Sequence, residues 1–222
     1  FENVTAVDFA ALNLEAPPEP ATIQRFYTSM AKFWQPVLRI DALPNDKPVA
    51  VTLLGRELVL ARLNGEVVAM RDRCRHFQAR LSLGDIVEVN GADCVRCPYH
   101  GWSYGADGHC TRIPQQPSVR RIPQAAAVPA YRVELGLGLI WICLNSQPAV
   151  AMPDYPEFSD PEFRTVALDE SESTATSAPR MILGTLDDTH FPWIHEGILG
   201  TRDKAAPPDH TVERQGDTLV TQ

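Results

Sequence analysis

Residues 71–84, RDRCRHFQARLSLG, and residues 96–102, RCPYHGW, decide how this chain is read. The first segment puts Cys74 and His76 two apart, and the second puts Cys97 and His100 three apart. Each pair stands beside a turn signal. Two short loops, each offering one thiolate and one imidazole, can close from opposite sides over a pair of irons, with both thiolates on one iron and both histidines on the other. Neutral imidazoles in place of two thiolates leave such a centre less negative, which raises its reduction potential well above that of an all-cysteine cluster.

Outward from these loops the pattern is β. Residues 49–54, 57–63 and 66–70 are short apolar, β-branched runs, and Asn64-Gly65 between the last two is a strong hairpin signal. Asn90-Gly91 separates DIVEV from ADCVRC, Asp107-Gly108 separates WSYGA from HCTRI, and VELGLGLIWICLN is the last β signal, ending near Asn145. Residues 35–145 are therefore expected to form a compact antiparallel β domain. Before it, residues 1–34 hold an arm containing APPEP and an amphipathic helix over 21–34, with Ile23, Phe26, Tyr27, Met30 and Trp34 near helical spacing. After it, residues 146–162, with four prolines and clustered acids, are expected to be an exposed connector. A second domain is expected over 163–222: FRTVALDES as a strand, a helical pattern from Ala178 to Gly197, then HTVERQGDTLVTQ as a strand, a Gly-Asp turn and the start of another strand. That pattern stops midway, so the second domain reads as incomplete.

A second constellation lies in LGTLDDTHFPWIHEGILG, with Asp187 three before His190 and His195 five after it. At roughly 100° per residue, Asp187 and His190 would share one helical face, about 60° apart, while His190 and His195 would diverge by about 140°. A regular helix cannot aim both histidines at one metal; Pro192 between them favours a bend that brings His195 back. Two histidines with one carboxylate on one face of an iron leave positions open for dioxygen and substrate. Asp188 and Glu196 are nearby carboxylates that compete for the third place. His109, after a turn, and His210, in a Pro/Asp-rich loop, read as surface residues.

The excess of 28 acidic over 20 basic side chains gives a formal charge of -8, which repels a phosphate backbone and excludes nucleic acid as an expected partner. No run approaches the roughly 20 apolar residues of a membrane helix, and the opening residues lack a secretory layout, so a soluble cytoplasmic chain without membrane contact is expected. The first residue is Phe rather than Met, which leaves room for residues upstream. Five cysteines at irregular spacing do not form a disulfide framework. Cys110 and Cys143 read as small apolar fillers. Cys94 and Cys97 form a CxxC that could join Cys74 and a histidine around zinc, but strand alternation points Cys94 away from Cys97, which disfavours that reading.

CRH followed by CPYHGW, set between hairpins, resembles the cluster signature of Rieske-type non-haem iron oxygenases, of the kind that demethylate or hydroxylate aromatic and heterocyclic compounds. Twenty residues separate His76 from Cys97, slightly more than the family pattern, and the Asn90-Gly91 hairpin can absorb the excess. The likeness extends through WQPVLRI and GLIWICLN over roughly residues 25–200. It implies an α+β fold, with an N-terminal antiparallel β Rieske domain and a C-terminal α+β catalytic domain. It implies a [2Fe–2S] cluster on Cys74, His76, Cys97 and His100, and a mononuclear Fe(II) on His190 and His195 whose third ligand is an Asp far downstream. Asp187 would bridge the two centres by hydrogen bonds to a cluster histidine and to His190. The family often has Asn four before that Asp, where this chain has Leu183. Electrons would pass from NAD(P)H through a reductase or ferredoxin to the cluster and on to the iron, where O2 meets the substrate, in a head-to-tail homotrimer. The alternative is a Rieske-type electron carrier without oxygenase chemistry; it would end near residue 145, which the later Asp187, His190 and His195 oppose.

Overall fold

The computed structural model describes residues 20–117, 121–166, 176, 178–206, 210–216 and 218–221. The opening arm, apart from Pro20, and the latter part of FRTVALDES lie outside these residues. The chain divides into two compact units that meet between Arg164 and Thr165.

The first unit begins with helix α1, Pro20–Met30. It ends earlier than the 21–34 periodicity predicts: Ala31 N–H closes the last turn on Tyr27 O, and the chain turns to start strand β1, Gln35–Arg39. Trp34, assigned from sequence to the helix face, is a core residue instead. The β run continues as β2 (Val49–Leu53), β3 (Arg56–Leu63), β4 (Glu66–Arg71), β5 (Asp85–Val89), β6 (Ala92–Arg96), β7 (Ser103–Tyr104), β8 (Cys110–Arg112), β9 (Ala130–Gly136) and β10 (Leu139–Cys143). Asn64 and Gly65 both take positive φ, 53° and 84°, as a two-residue hairpin turn of the primed type requires. The VELGLGLIWICLN signal is two strands, because Leu137 and Gly138 adopt the same left-handed pair (56° and 73°) and fold β9 onto β10.

Two antiparallel sheets result, one of six strands in the order β1-β10-β9-β4-β3-β2 and one of four in the order β5-β6-β7-β8. On β3, Val59, Ala61 and Leu63 face a core shared with Val95, Tyr104 and Cys110 of the smaller sheet. Leu58 and Leu60 face the other way, into a second core with Ile140, Ile142 and Leu43. Both faces of β3 are thus covered through Leu58–Ala61, four consecutive apolar residues where a half-exposed strand alternates. Burial of a Leu or Ile side chain contributes about 1.5–3 kcal/mol, so these two cores supply most of the driving force.

Residues 146–162 are seated on this unit and do not hang free: Ala149 N–H donates to Lys32 O at 2.8 Å, and Met152 packs on the Trp34, Trp141 and Cys143 cluster. The second unit holds helices α2 (Ala178–Leu186) and α3 (Phe191–Ile194) and a hairpin of β11 (Val212–Gln215) and β12 (Thr218–Thr221), in agreement with the strand-turn-strand reading of the tail. Among the described residues no helix is long and apolar enough to cross a membrane.

Candidate metal centre

The first ligand loop leaves the large sheet after β4 and enters the small one at β5; the second joins β6 to β7. Sequence adjacency to strand ends therefore becomes spatial adjacency, since Val59 of β3 and Val95 of β6 share one core. Leu81, fully buried in that core, anchors the far end of the first loop. Truncating such a residue costs about 2–5 kcal/mol.

Cys74 and Cys97 are both buried and members of that core. Burial pushes the Cys97 thiol up, opposed by the backbone N–H groups of Tyr99 and His100 that point at it. His76 and His100 lie on the outer side, with ring centroids 4.7 Å apart. Trp102 stacks on His76 at 4.7 Å with planes 5° from parallel, and Tyr99 leans on His100 at 3.9 Å. Phe77 and Tyr99, both about two-thirds exposed, flank the two imidazoles. The loop backbone is closed on itself: Cys74 N–H donates to Ala79 O, Gln78 N–H to Cys74 O, and in the second loop Gly101 N–H to Cys97 O. The four residues singled out from sequence are thus together, thiols inward and imidazoles outward.

This arrangement fits a binuclear cluster. Metal binding displaces thiol protons, and a metal here would gain two thiolates from one apolar core. The donors split into an inner pair and an outer pair, and among the described residues no three His, Cys, Asp or Glu side chains stand as a set that could hold a metal ion. Cys94 faces away, buried with its Sγ 3.3 Å from Thr111 Oγ1, so the CxxC spacing does not make a zinc corner. Cys110 and Cys143 are core residues; burial chiefly raises the Cys110 thiol to about 11.

Two contacts were not foreseen. Tyr104 is fully buried with its hydroxyl 3.1 Å from Cys74 Sγ, and it accepts the Arg75 N–H at 3.0 Å. Burial, and then Cys74, push that hydroxyl above its ordinary range. Asp72, also fully buried, accepts Ser82 N–H at 2.7 Å and Ser82 Oγ–H at 2.6 Å, tying together the two ends of the first loop. A strand position paired with Val95 signals burial for Tyr104, but not its partner.

In the second unit, Asp187 and His190 do not share a helical face. Helix α2 stops at Leu186, and Asp187 takes the Thr189 N–H (2.9 Å) and hydroxyl (2.5 Å) in a local turn. The Thr189 hydroxyl is the main reason the Asp187 carboxyl is held below its usual range. His190 Nδ1 is 3.7 Å from Asp187 Oδ2, and the His190 and His195 rings are 5.4 Å apart, at the two ends of the one-turn α3 that contains Pro192. Contrary to the expected bend, Pro192 does not kink a longer helix between the histidines; it stands in the first turn of α3, where a missing N–H costs nothing, and the two histidines cap that turn at either end. Of the rival carboxylates, Glu196 is paired with Arg202 at 2.9 Å.

The Rieske [2Fe-2S] domain family matches residues 33–130. The chain is 37% identical over 202 residues to methylxanthine N1-demethylase NdmA of Pseudomonas putida, covering 88% of this chain and 56% of that protein. It is 34% identical over 193 residues to methylxanthine N3-demethylase NdmB of the same organism, covering 84% and 54%. The solved structure of Pseudomonas putida CBB5 NdmB superimposes with a TM-score of 0.79 at 33% identity, over 87% of this chain and 59% of that one. The chain therefore spans little more than half the length of these relatives. Residues 33–130 thus match the Rieske [2Fe–2S] domain, and the chain is homologous to the methylxanthine demethylases named above.

Proposed function

We propose that the chain is part of the oxygenase component of a Rieske-type system that demethylates or hydroxylates an aromatic or heterocyclic substrate. What carries this reading is the placement of Cys74 and Cys97 inside, and His76 and His100 outside, one pole of the β domain. The cluster these four residues would hold supplies one-electron transfer at a raised potential. The chain's own residues set its surroundings. The core excludes water from the thiols, Tyr99 and His100 amides and the Tyr104 hydroxyl offer them hydrogen bonds, and Trp102 fixes the plane of His76. Exposed Phe77 and Tyr99 surround the imidazoles with the apolar rim that a close-docking electron partner needs.

His190 and His195 would hold the mononuclear iron, with Asp187 keeping His190 oriented through its carboxylate. Residues 35–145 are the Rieske domain in this reading, 146–162 the connector, and 163–222 the beginning of the catalytic domain. A reductase or ferredoxin would be the electron donor, and a homotrimer the assembly. Demethylation comes before ring hydroxylation because the relatives quoted above are named as methylxanthine demethylases. The test is iron, acid-labile sulfide and zinc analysis of the full-length protein, with its visible and EPR spectra, followed by reductase-dependent turnover of methylated heterocycles. Two sulfides, three irons and formaldehyde release are expected. A colourless protein holding zinc at Cys74 and Cys97 would overturn the proposal.

A further inference from the structure

The first ligand loop is gripped at its neck by a residue far from it in sequence. Glu57, at the second position of β3, has a side chain 31% exposed. Its backbone oxygen accepts the N–H of Asp72 at 3.0 Å, where the chain leaves β4. Its carboxylate divides between two arginines on either side of the loop. Oε2 takes Arg73 Nε at 2.7 Å and also Arg73 Nη2, while Oε1 takes Arg80 Nη2. Arg73 reaches across the same neck to Gln78 O at 3.2 Å. Between these two arginines lie Cys74 and His76, on a turn closed by Cys74 N–H to Ala79 O and by Gln78 N–H to Cys74 O.

Two guanidinium groups that converge at the base of a loop repel one another, and an anion between them turns that repulsion into attraction. Arginine keeps its charge at any working pH, so neither partner can relieve the repulsion by losing a proton. We infer that Glu57 is a positioning residue for the cluster: its carboxylate holds the ligand loop shut through Arg73 and Arg80, so that Cys74 and His76 are in place before metal arrives and stay in place afterwards. The inference rests on the proposed function of the same loop. It adds a residue that touches none of the four ligands and lies outside both ligand segments.

The charge logic gives the role a signature that mere filling of space lacks. Glu57→Gln keeps the shape and leaves the two arginines facing each other without a counter-charge. Arg80→Gln in addition removes one of the repelling cations, so the double variant should behave better than Glu57→Gln alone. Two readouts on the full-length protein test this: the rate at which the visible cluster absorption bleaches in a chelator, and amide hydrogen exchange at Cys74 and Gln78. Half-exposed pairs are worth up to roughly a fivefold effect each. Glu57→Gln should therefore bleach and exchange about fivefold faster, Arg80→Gln about twofold, and the double variant should fall between wild type and Glu57→Gln. Wild-type rates in Glu57→Gln, or a double variant faster than either single one, would overturn the inference. Should Glu57→Gln fail to fold, Arg80→Gln alone decides it, with unchanged rates counting against. A wild-type protein without a cluster would overturn the proposed function instead, and the exchange rates would then decide this inference separately.

Discussion

Replacing Tyr104 with Phe isolates one hydrogen bond to a ligand thiol. The ring is fully buried and Phe fills all of its space except the oxygen, so packing is kept. The hydroxyl accepts the Arg75 N–H at 3.0 Å, which leaves its own proton to point at Cys74 Sγ, 3.1 Å away. Two losses follow. The Arg75 N–H loses its acceptor, at a cost of about 1–2 kcal/mol in stability. The sulfur loses a donor whose bond strengthens as the cluster takes up an electron. Bonds to charged acceptors are worth about 1.5–3 kcal/mol, and a difference of about 1 kcal/mol between the two redox states corresponds to about 40 mV for one electron. The Tyr104→Phe cluster should therefore have a potential about 40 mV lower than wild type, as measured by redox titration followed by EPR or circular dichroism. An intact cluster with an unchanged or higher potential would refute the reasoning, because it would mean that the hydroxyl proton is not directed at the sulfur.

Cys94→Ala should leave iron, sulfide and the visible spectrum at wild-type levels, whereas Cys97→Ser should abolish the spectrum; metal analysis of the two variants separates a cluster from a zinc site built on the CxxC. At Gly84 an added Cβ would lie 1.8 Å from the carbonyl oxygen of Arg96, so Gly84→Ala should cost about 2–3 kcal/mol or more in a denaturant titration and loosen the join between the first ligand loop and β5. The Arg80 and Arg73 hydrogen bonds hold the Glu57 carboxyl below its ordinary 4.5. A depressed carboxyl contributes stability that is complete above its unfolded pKa and is lost as pH falls through the folded one. Protection of the first loop against proteolysis should therefore be flat from neutral pH down to about pH 5 and decline only below 4.5.

Much of the site was legible because its determinants are local. Cysteine and histidine two or three apart beside an Asn-Gly turn define a loop whatever surrounds it, and the primed hairpin at Asn64-Gly65 follows from the left-handed tolerance of those two residues. The turn at Leu137-Gly138 uses the same backbone with a leucine in the first position, where no side-chain preference announces it, so the β9–β10 hairpin was read as one signal. Helical periodicity ran past the true end of α1 because Trp34 is apolar in either setting. In the second unit the 3.6-residue pattern placed Asp187 on a helix face; the Thr189 hydroxyl and amide draw the carboxylate into a local turn, a competition that periodicity cannot weigh. Glu57, Asp72 and Tyr104 were missed for one reason. Their partners are brought to them by the β3–β4 pairing for Glu57, the return of the first loop for Asp72 and the packing of the small sheet on the large one for Tyr104, and no spacing in the chain encodes those meetings.

Strand β1 pairs with β10, Gln35 opposite Ile142 and Arg39 opposite Leu139, so the six-stranded sheet is stitched from the two extremes of the domain. The four-stranded sheet, by contrast, is a meander of sequence neighbours. During translation the meander can fold as soon as residue 112 has cleared the ribosome, whereas the larger sheet must wait for its last strand. High contact order then makes closure by β1 the slow step. The second ligand loop is therefore formed early, and the first, strung between the two sheets, reaches its final geometry only when the late-closing sheet does. Loading of a cluster on Cys74, His76, Cys97 and His100 would in this way be tied to completion of the domain.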